Sequence, residues 1–315
     1  MGINFQKVSF KYAPLLDDTL KDISLNINEK DEFIFILGHT GSGKSTLVQN
    51  MNALLLPYSG CAEVFDKKII TRIYHPLRFN TKKNQKRYNM KYKKGILNKG
   101  NMPVYSKNLR AIREHIGLVF QFPEYQLFES TVLKDVMFGP KNFGHNKEEA
   151  LIASKKALKL VEFPESLYDR NPFLLSGGQM RRVAIAGILA IDPDVIILDE
   201  PTVGLDPKGK ETLMKLLVNI QKETHKSIII ISHDMNVVAE YAKRIIVMSN
   251  GEIVYDGNKR PLFEDLDLLY KYNLDLAECS KIAIELKKRN LISYKHLPLD
   301  KNELKTVILG GDIYE

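Results

Sequence analysis

Residues Gly38 to Thr46 read Gly-His-Thr-Gly-Ser-Gly-Lys-Ser-Thr. That is the G-x-x-x-x-G-K-[ST] spacing whose backbone N–H groups can surround phosphate oxygens. Gly38, Gly41 and Gly43 allow the tight turn, with His39, Thr40 and Ser42 between them. Lys44 carries the charge suited to β- and γ-phosphates, the Ser45 hydroxyl suits Mg2+, and Thr46 closes the loop. A second apolar run, Val195-Ile-Ile-Leu-Asp-Glu200, ends in two carboxylates. Asp199 is the acid expected to hold the metal, usually through water, and Glu200 is then free to orient or deprotonate a water aimed at the γ-phosphate. Gln121 follows the apolar stretch Ile116-Gly-Leu-Val-Phe120, and His233 follows Ser227-Ile-Ile-Ile-Ile-Ser232. Taken singly, a loop Gln is usually solvated and a His after a strand is usually structural; only the ordered set of motifs gives either a role.

These groups need rigid elements behind them. Glu32-Phe-Ile-Phe-Ile-Leu37 before the phosphate loop reads as a buried strand, and the segment through Leu54 is helix-compatible. A helix starting near Lys44 directs the positive end of its dipole at the same anion. Strand and helix then alternate: helical periods over 131–160, with a start at Asn146 and Glu149, then 180–190, 208–223 and the stretch before Lys243. Strands are expected at 245–248 and 253–255 around Asn250-Gly251. Such alternation predicts a largely parallel sheet covered on both faces, with ligands at the carboxyl ends of its strands. Alternating apolar residues at Val8, Phe10 and Tyr12, and at Leu20, Ile23, Leu25 and Ile27, predict an antiparallel pair near the N-terminus, with further short strands at 61–65 and 68–73. Beyond Pro261 the chain reads as mostly helical, with Leu276, Ile282, Ala283 and Leu286 at helix spacing.

The net charge of +8 is concentrated in one segment. From Lys67 to Arg113 there are fifteen Lys or Arg and no Asp or Glu, whereas the remaining residues carry 31 basic against 38 acidic side chains. That segment reads as a solvated loop, a contact for anionic lipid headgroups, or, through Tyr88, Tyr92 and Tyr105, a nucleic-acid contact; no nucleic-acid motif accompanies the tyrosines, which disfavours the last. No run approaches 18 apolar residues, and the N-terminus lacks a signal peptide's apolar region and a Ser or Thr at position six, so neither a membrane span, export nor myristoylation is expected. Cys61 and Cys279 show no metal or disulfide spacing and are expected to be reduced, buried and idle.

In this order, the motifs resemble those of the ATP-binding cassette ATPases over residues 3 to about 258. The resemblance makes Gly38–Thr46 the Walker A loop, Gln121 the glutamine loop, Leu175-Ser-Gly-Gly-Gln179 the signature, Val195–Glu200 the Walker B strand, Gly204-Leu-Asp-Pro207 the D-loop and His233 the switch histidine. It implies that Tyr12 stacks on adenine, that Gln121 joins the metal shell and senses the γ-phosphate, and that His233 bonds the same group. It also implies a head-to-tail dimer in which Ser176, Gly177, Gly178 and Gln179, together with Asp206 of the D-loop, serve an ATP held by the opposite subunit. The expected architecture is α/β: a P-loop NTPase of ATP-binding-cassette type with an antiparallel β subdomain. The cassette would span 1–258, with a basic insertion about 74–109 and a helical signature subdomain about 125–190.

A narrower resemblance lies in Gln121-Phe-Pro-Glu-Tyr-Gln-Leu-Phe128, Phe138-Gly-Pro-Lys-Asn142 and Leu175-Ser-Gly-Gly-Gln-Met-Arg-Arg-Val-Ala-Ile-Ala-Gly187. These are similar to the second of the two paralogous A subunits of energy-coupling factor transporters, from whose norm the long basic insertion departs. The resemblance implies ATP and Mg2+ as cofactors and a peripheral location on the cytoplasmic side of the cell membrane. Implied partners are a paralogous A subunit, a transmembrane T subunit, and an S subunit that captures a vitamin or metal ion. It further implies that the mostly helical extension 259–315 contacts the other A subunit. Phe122, Tyr125, Leu127 and Phe128 are candidates for lining the T-subunit groove, or else for ordinary core packing. A soluble cassette acting on ribosome or nucleic acid through the insertion is the alternative; a single cassette without a heptad run speaks against it, and intact Lys44, Asp199, Glu200 and His233 speak against a dead site.

Overall fold

The computed structural model describes residues 2–13, 16–65, 67–70 and 106–313, the stretches 67–70 and 106–108 as backbone only. Most of the basic insertion, and with it the candidate lipid and nucleic-acid contacts, lies outside these residues.

The chain opens with strands β1 (Ile3–Phe10) and β2 (Leu20–Ile27), then β3 (Phe33–Leu37), helix α1 (Lys44–Met51), and strands β4 (Ser59–Val64) and β5 (Lys67–Ile70). Strands β2-β1-β4-β5 form an antiparallel sheet in that order. Helix α2 (Ser106–His115) leads into β6 (Ile116–Val119). This helix was not anticipated, although Leu109 and Ile112 stand three apart and pack against the core beneath the small sheet; the surrounding basic residues hid the period.

The expected alternation follows: α3 (Val132–Asn142), α4 (Lys147–Leu160), α5 (Gly177–Leu189), β7 (Val195–Asp199), α6 (Pro207–Thr224), β8 (Ser227–Ile231), α7 (Met235–Tyr241), β9 (Arg244–Ser249) and β10 (Glu252–Asn258). Strands β10-β9-β3-β8-β7-β6 make the central sheet, parallel except for β10, which pairs antiparallel with β9. The β9–β10 turn has Asn250 at φ 51° and Gly251 at φ 85°, the left-handed pair that a two-residue hairpin favours. The capping box at Asn146 and Glu149 starts α4 as expected.

The twofold period of the strands sorts the core into two layers. Phe33, Phe35, Ile196, Leu198, Ile228, Ile230, Ile245 and Val247 face the layer that includes Val183, Ile185, Leu216 and Ile220 of α5 and α6. Their neighbours Ile34, Ile36, Val195, Ile197, Ile229, Ile231, Ile246 and Met248 face α1 and the antiparallel sheet. Burial on both faces explains the uninterrupted apolar runs.

The C-terminal part contains α8 (Lys259–Glu264), α9 (Leu266–Lys271), α10 (Glu278–Lys288) and α11 (Lys301–Ile308). Leu262, Phe263, Leu269, Ala277 and Leu299 join the larger core, so the extension is seated on the rest of the chain. Of the residues expected at helix spacing there, Ala283 is buried but Ile282 is 48% exposed. Cys61 and Cys279 are free and half-buried rather than buried, and burial pushes the Cys279 thiol up from its ordinary value.

Candidate nucleotide site

Strands β3, β6, β7 and β8 run parallel, so the loops holding Gly38–Thr46, Gln121, Glu200 and His233 emerge at one edge of the sheet. The loop after β3 turns at Gly38, where φ is 141° and an added Cβ would lie 2.2 Å from the Met248 carbonyl oxygen. No other residue type fits there without moving that backbone. Gly43, at φ 103°, ends the loop and begins α1. The Lys44 ammonium donates to the carbonyls of Gly38 (2.7 Å) and His39 (2.9 Å). Burial lowers the Lys44 pKa, while Glu200 and Asp199 act to raise it. The Tyr12 hydroxyl and Thr46 Oγ1 share a 2.9 Å hydrogen bond, and the Tyr12 ring, met edge-on by Phe10, is 49% exposed. A ring with a free face is thereby tied to the first turn of the helix that follows the phosphate loop.

Asp199 ends β7, with the Ser45 hydroxyl and the Lys44 ammonium near it. Burial raises its pKa above the usual carboxylate value, and the Ser45 hydroxyl and the Lys44 charge oppose that rise. A hydroxyl and a carboxylate side by side beside the phosphate loop fit a hard divalent cation that prefers oxygen ligands. Two buried oxygens nearby, Ser42 Oγ and Glu200 Oε2, lack hydrogen-bond partners within the protein, and such groups ask for a polar partner.

Glu200 adopts φ 50°, a left-handed conformation that costs a non-glycine residue about 1–3 kcal/mol. The Glu200 N–H donates to Ile231 O at 3.0 Å, and Oε1 lies 2.8 Å from Nδ1 of His233. The carboxylate is mostly buried, the imidazole largely exposed. One carboxylate oxygen is therefore engaged by the imidazole, while the other is buried without a hydrogen-bond partner. Gln121 is exposed in the loop after β6.

The signature residues form a different structure. Ser176 caps α5: its Oγ accepts from the Gln179 N–H, and Gln179 Oε1 accepts from the Ser176 N–H. Nothing lies within 4 Å of a Cβ added at Gly177 or Gly178, so both face open space at a helix N-terminus. Asp206 caps α6 by accepting from the Gly209 N–H at 3.0 Å. The bonds of Ser176 and Gln179 stay within their own box rather than reaching the phosphate loop.

Of the groove candidates, Tyr125 is 85% exposed and Phe122 and Phe128 are also exposed, but Leu127 is 5% exposed and belongs to the core. Glu124 is not a free groove charge: its Oε2 is buried, 3.6 Å from Arg181. The sequence carried no signal for that pairing, or for the 2.6 Å bond by which Lys210 reaches Asp234, the residue after His233.

Fold and site together define an ATP-binding cassette ATPase. The family described as "ABC transporter" matches residues 20–203. Two solved structures agree: cbiO1 of Clostridium perfringens, part of the ABC transporter complex cbiONQ, at TM-score 0.66 and 36% identity over 87% of this chain and 95% of that one; and the ATP-binding cassette MJ0796, dimeric and bound to ADP and Pi, at TM-score 0.62 and 29% identity over 82% and 99%. Among curated relatives, the energy-coupling factor transporter ATP-binding protein EcfA2 of Ligilactobacillus salivarius is 41% identical over the whole of both chains. Its namesake from Streptococcus pyogenes serotype M28 is 43% identical over 99% of this chain and all of that one. The chain belongs to the energy-coupling factor transporter ATP-binding proteins.

Proposed function

We propose that this chain is one of two unlike ATPase subunits that drive a transmembrane T subunit, so that a vitamin or metal ion held by a separate S subunit enters the cell. The observation that carries the reading is the Glu200–His233 pair set beside Lys44 and the Ser45–Asp199 pair at one sheet edge. Gly38–Thr46 wraps the phosphates, Lys44 leaves the loop carbonyls for the β- and γ-phosphates, and Tyr12 stacks on the adenine. Ser45, Asp199 and Gln121 would hold Mg2+, which when bound would supply positive charge against the phosphoryl oxygens. Glu200 orients and deprotonates the attacking water while His233 keeps the carboxylate in place and meets the γ-phosphate.

Ser176, Gly177, Gly178, Gln179 and Asp206 act on the ATP of the other subunit, for which the open space at Gly177 and Gly178 leaves room. The exposed rings of Phe122, Tyr125 and Phe128 meet the T subunit. The extension from 259 to 315 contacts the other ATPase subunit, a role supported by exposed Ile282, Leu291, Ile308 and Leu309. Among the described residues no helix is long and apolar enough to cross a membrane, which fits a peripheral subunit on the cytoplasmic face. Purification of the tagged chain from membranes tests the reading: a T-type membrane protein and a second cassette subunit should copurify, and ribosomes in their place would reject it.

A further inference from the structure

The Arg181 side chain is 7% exposed, in the second turn of α5. Its guanidinium donates through one terminal nitrogen to Pro201 O (2.8 Å) and Val203 O (3.3 Å), and through the other to Val203 O (3.2 Å). That second nitrogen also lies 3.6 Å from Glu124 in the segment after Gln121. The carbonyls it grips belong to the turn that begins at Glu200, which is closed by the Val203 N–H donating to Glu200 O at 3.3 Å. A guanidinium is permanently charged and offers its donors in a fixed, planar fork, so it can bond both carbonyls while facing the carboxylate; an ammonium offers three donors from a single point and cannot reproduce that spread. Three segments that carry different parts of the site, the signature helix, the glutamine-loop segment and the turn after Glu200, thus meet at one buried cation.

We propose that Arg181 is a positioning residue for hydrolysis: it fixes the left-handed turn that aims Glu200, and Glu124 makes that grip depend on where the glutamine-loop segment sits. The dependence follows from charge. Glu124 is the carboxylate paired with this buried cation, and a buried charge that loses its partner seeks another arrangement. Because the exposed rings of Phe122, Tyr125 and Phe128 flank Glu124, a partner pressing on them shifts the acid, and Arg181 carries the shift to the Glu200 turn. This last step rests on the T-subunit reading above; the hold on the Glu200 turn does not.

The test uses the pair of ATPase subunits and the assembled membrane complex, comparing wild type with Arg181→Lys, Glu124→Gln and Glu124→Asp, with KM and kcat for ATP measured separately. Glu124→Gln and Arg181→Lys should leave KM within about twofold and lower kcat about tenfold or more, and should remove most of the stimulation seen on assembly. Glu124→Asp, which keeps the charge, should recover at least part of kcat. A kcat within twofold of wild type in both Glu124→Gln and Arg181→Lys overturns the proposal, as does a rise in KM with kcat unchanged. If no membrane subunit associates with the wild-type pair of ATPase subunits, the transporter reading fails on its own, and the kcat of that pair still decides whether Arg181 positions Glu200.

Discussion

Nδ1 of His233 lies 2.8 Å from Oε1 of Glu200, so the residue after β8 steadies the carboxylate after β7. The two neighbouring strands deliver the pair, and the strained φ of Glu200 aims it. Replacing Glu200 by Gln keeps the side-chain shape and removes the base. ATP binding should persist while hydrolysis falls by about 10²- to 10⁴-fold, read by equilibrium binding and steady-state phosphate release. Near-normal turnover in Glu200→Gln would remove Glu200 from the role of base.

Asp199 should be a liability to the fold when no metal is present. Burial raises its pKa, so the ionised form is disfavoured in the native chain; that penalty is present above the folded pKa and disappears as the pH falls through it. In chelator at neutral pH, Asp199→Asn should raise the melting midpoint by about 1–2 °C, the shift a chain of 315 residues shows for about 1 kcal/mol, and should abolish hydrolysis when Mg2+ is restored. Thermal unfolding with and without chelator checks both halves.

Two glycines should respond in opposite ways. Gly38→Ala drives a Cβ to 2.2 Å from Met248 O at a positive φ and should destabilise the chain by about 3 kcal/mol or more, with loss of nucleotide binding. Gly178→Asp meets open space and should leave melting and ATP binding unchanged, yet stop hydrolysis in the assembled dimer. Calorimetry and nucleotide titration separate the two cases.

The link between Tyr12 and Thr46 predicts a graded effect on nucleotide affinity. Tyr12→Ala should raise the Kd for ATP about tenfold, within the range of stacking contributions of 1–3 kcal/mol per base. Tyr12→Phe keeps the ring and loses only the tether, and should raise it about threefold or less. Equal losses in the two variants would assign the role to the hydroxyl.

The placement of Gly38–Thr46, Glu200 and His233 in loops after strands was legible because each follows an apolar run in the sequence. The parallel sheet was legible because Phe33–Leu37, Val195–Leu198 and Ile228–Ile231 are apolar on both faces. What could not be read were contacts between segments remote in sequence. Nothing marks Arg181 as the buried partner of Glu124, fifty-seven residues earlier, or Thr46 as the partner of Tyr12. Leu127 looked like its exposed neighbours because an irregular loop has no period to sort inside from outside. Helix α2 was concealed by charge, since among its described residues Leu109 and Ile112 pack against the core amid basic neighbours.

If this chain supplies half of each of two ATP sites in a membrane-bound pair of unlike ATPases, native mass spectrometry of the Glu200→Gln complex, purified from membranes with ATP and Mg2+, should show the whole assembly. One copy of this chain, one copy of a different cassette subunit, at least one membrane subunit and two retained nucleotides are expected. A chain that purifies without a membrane subunit, or that retains a single nucleotide as a monomer, would contradict that arrangement.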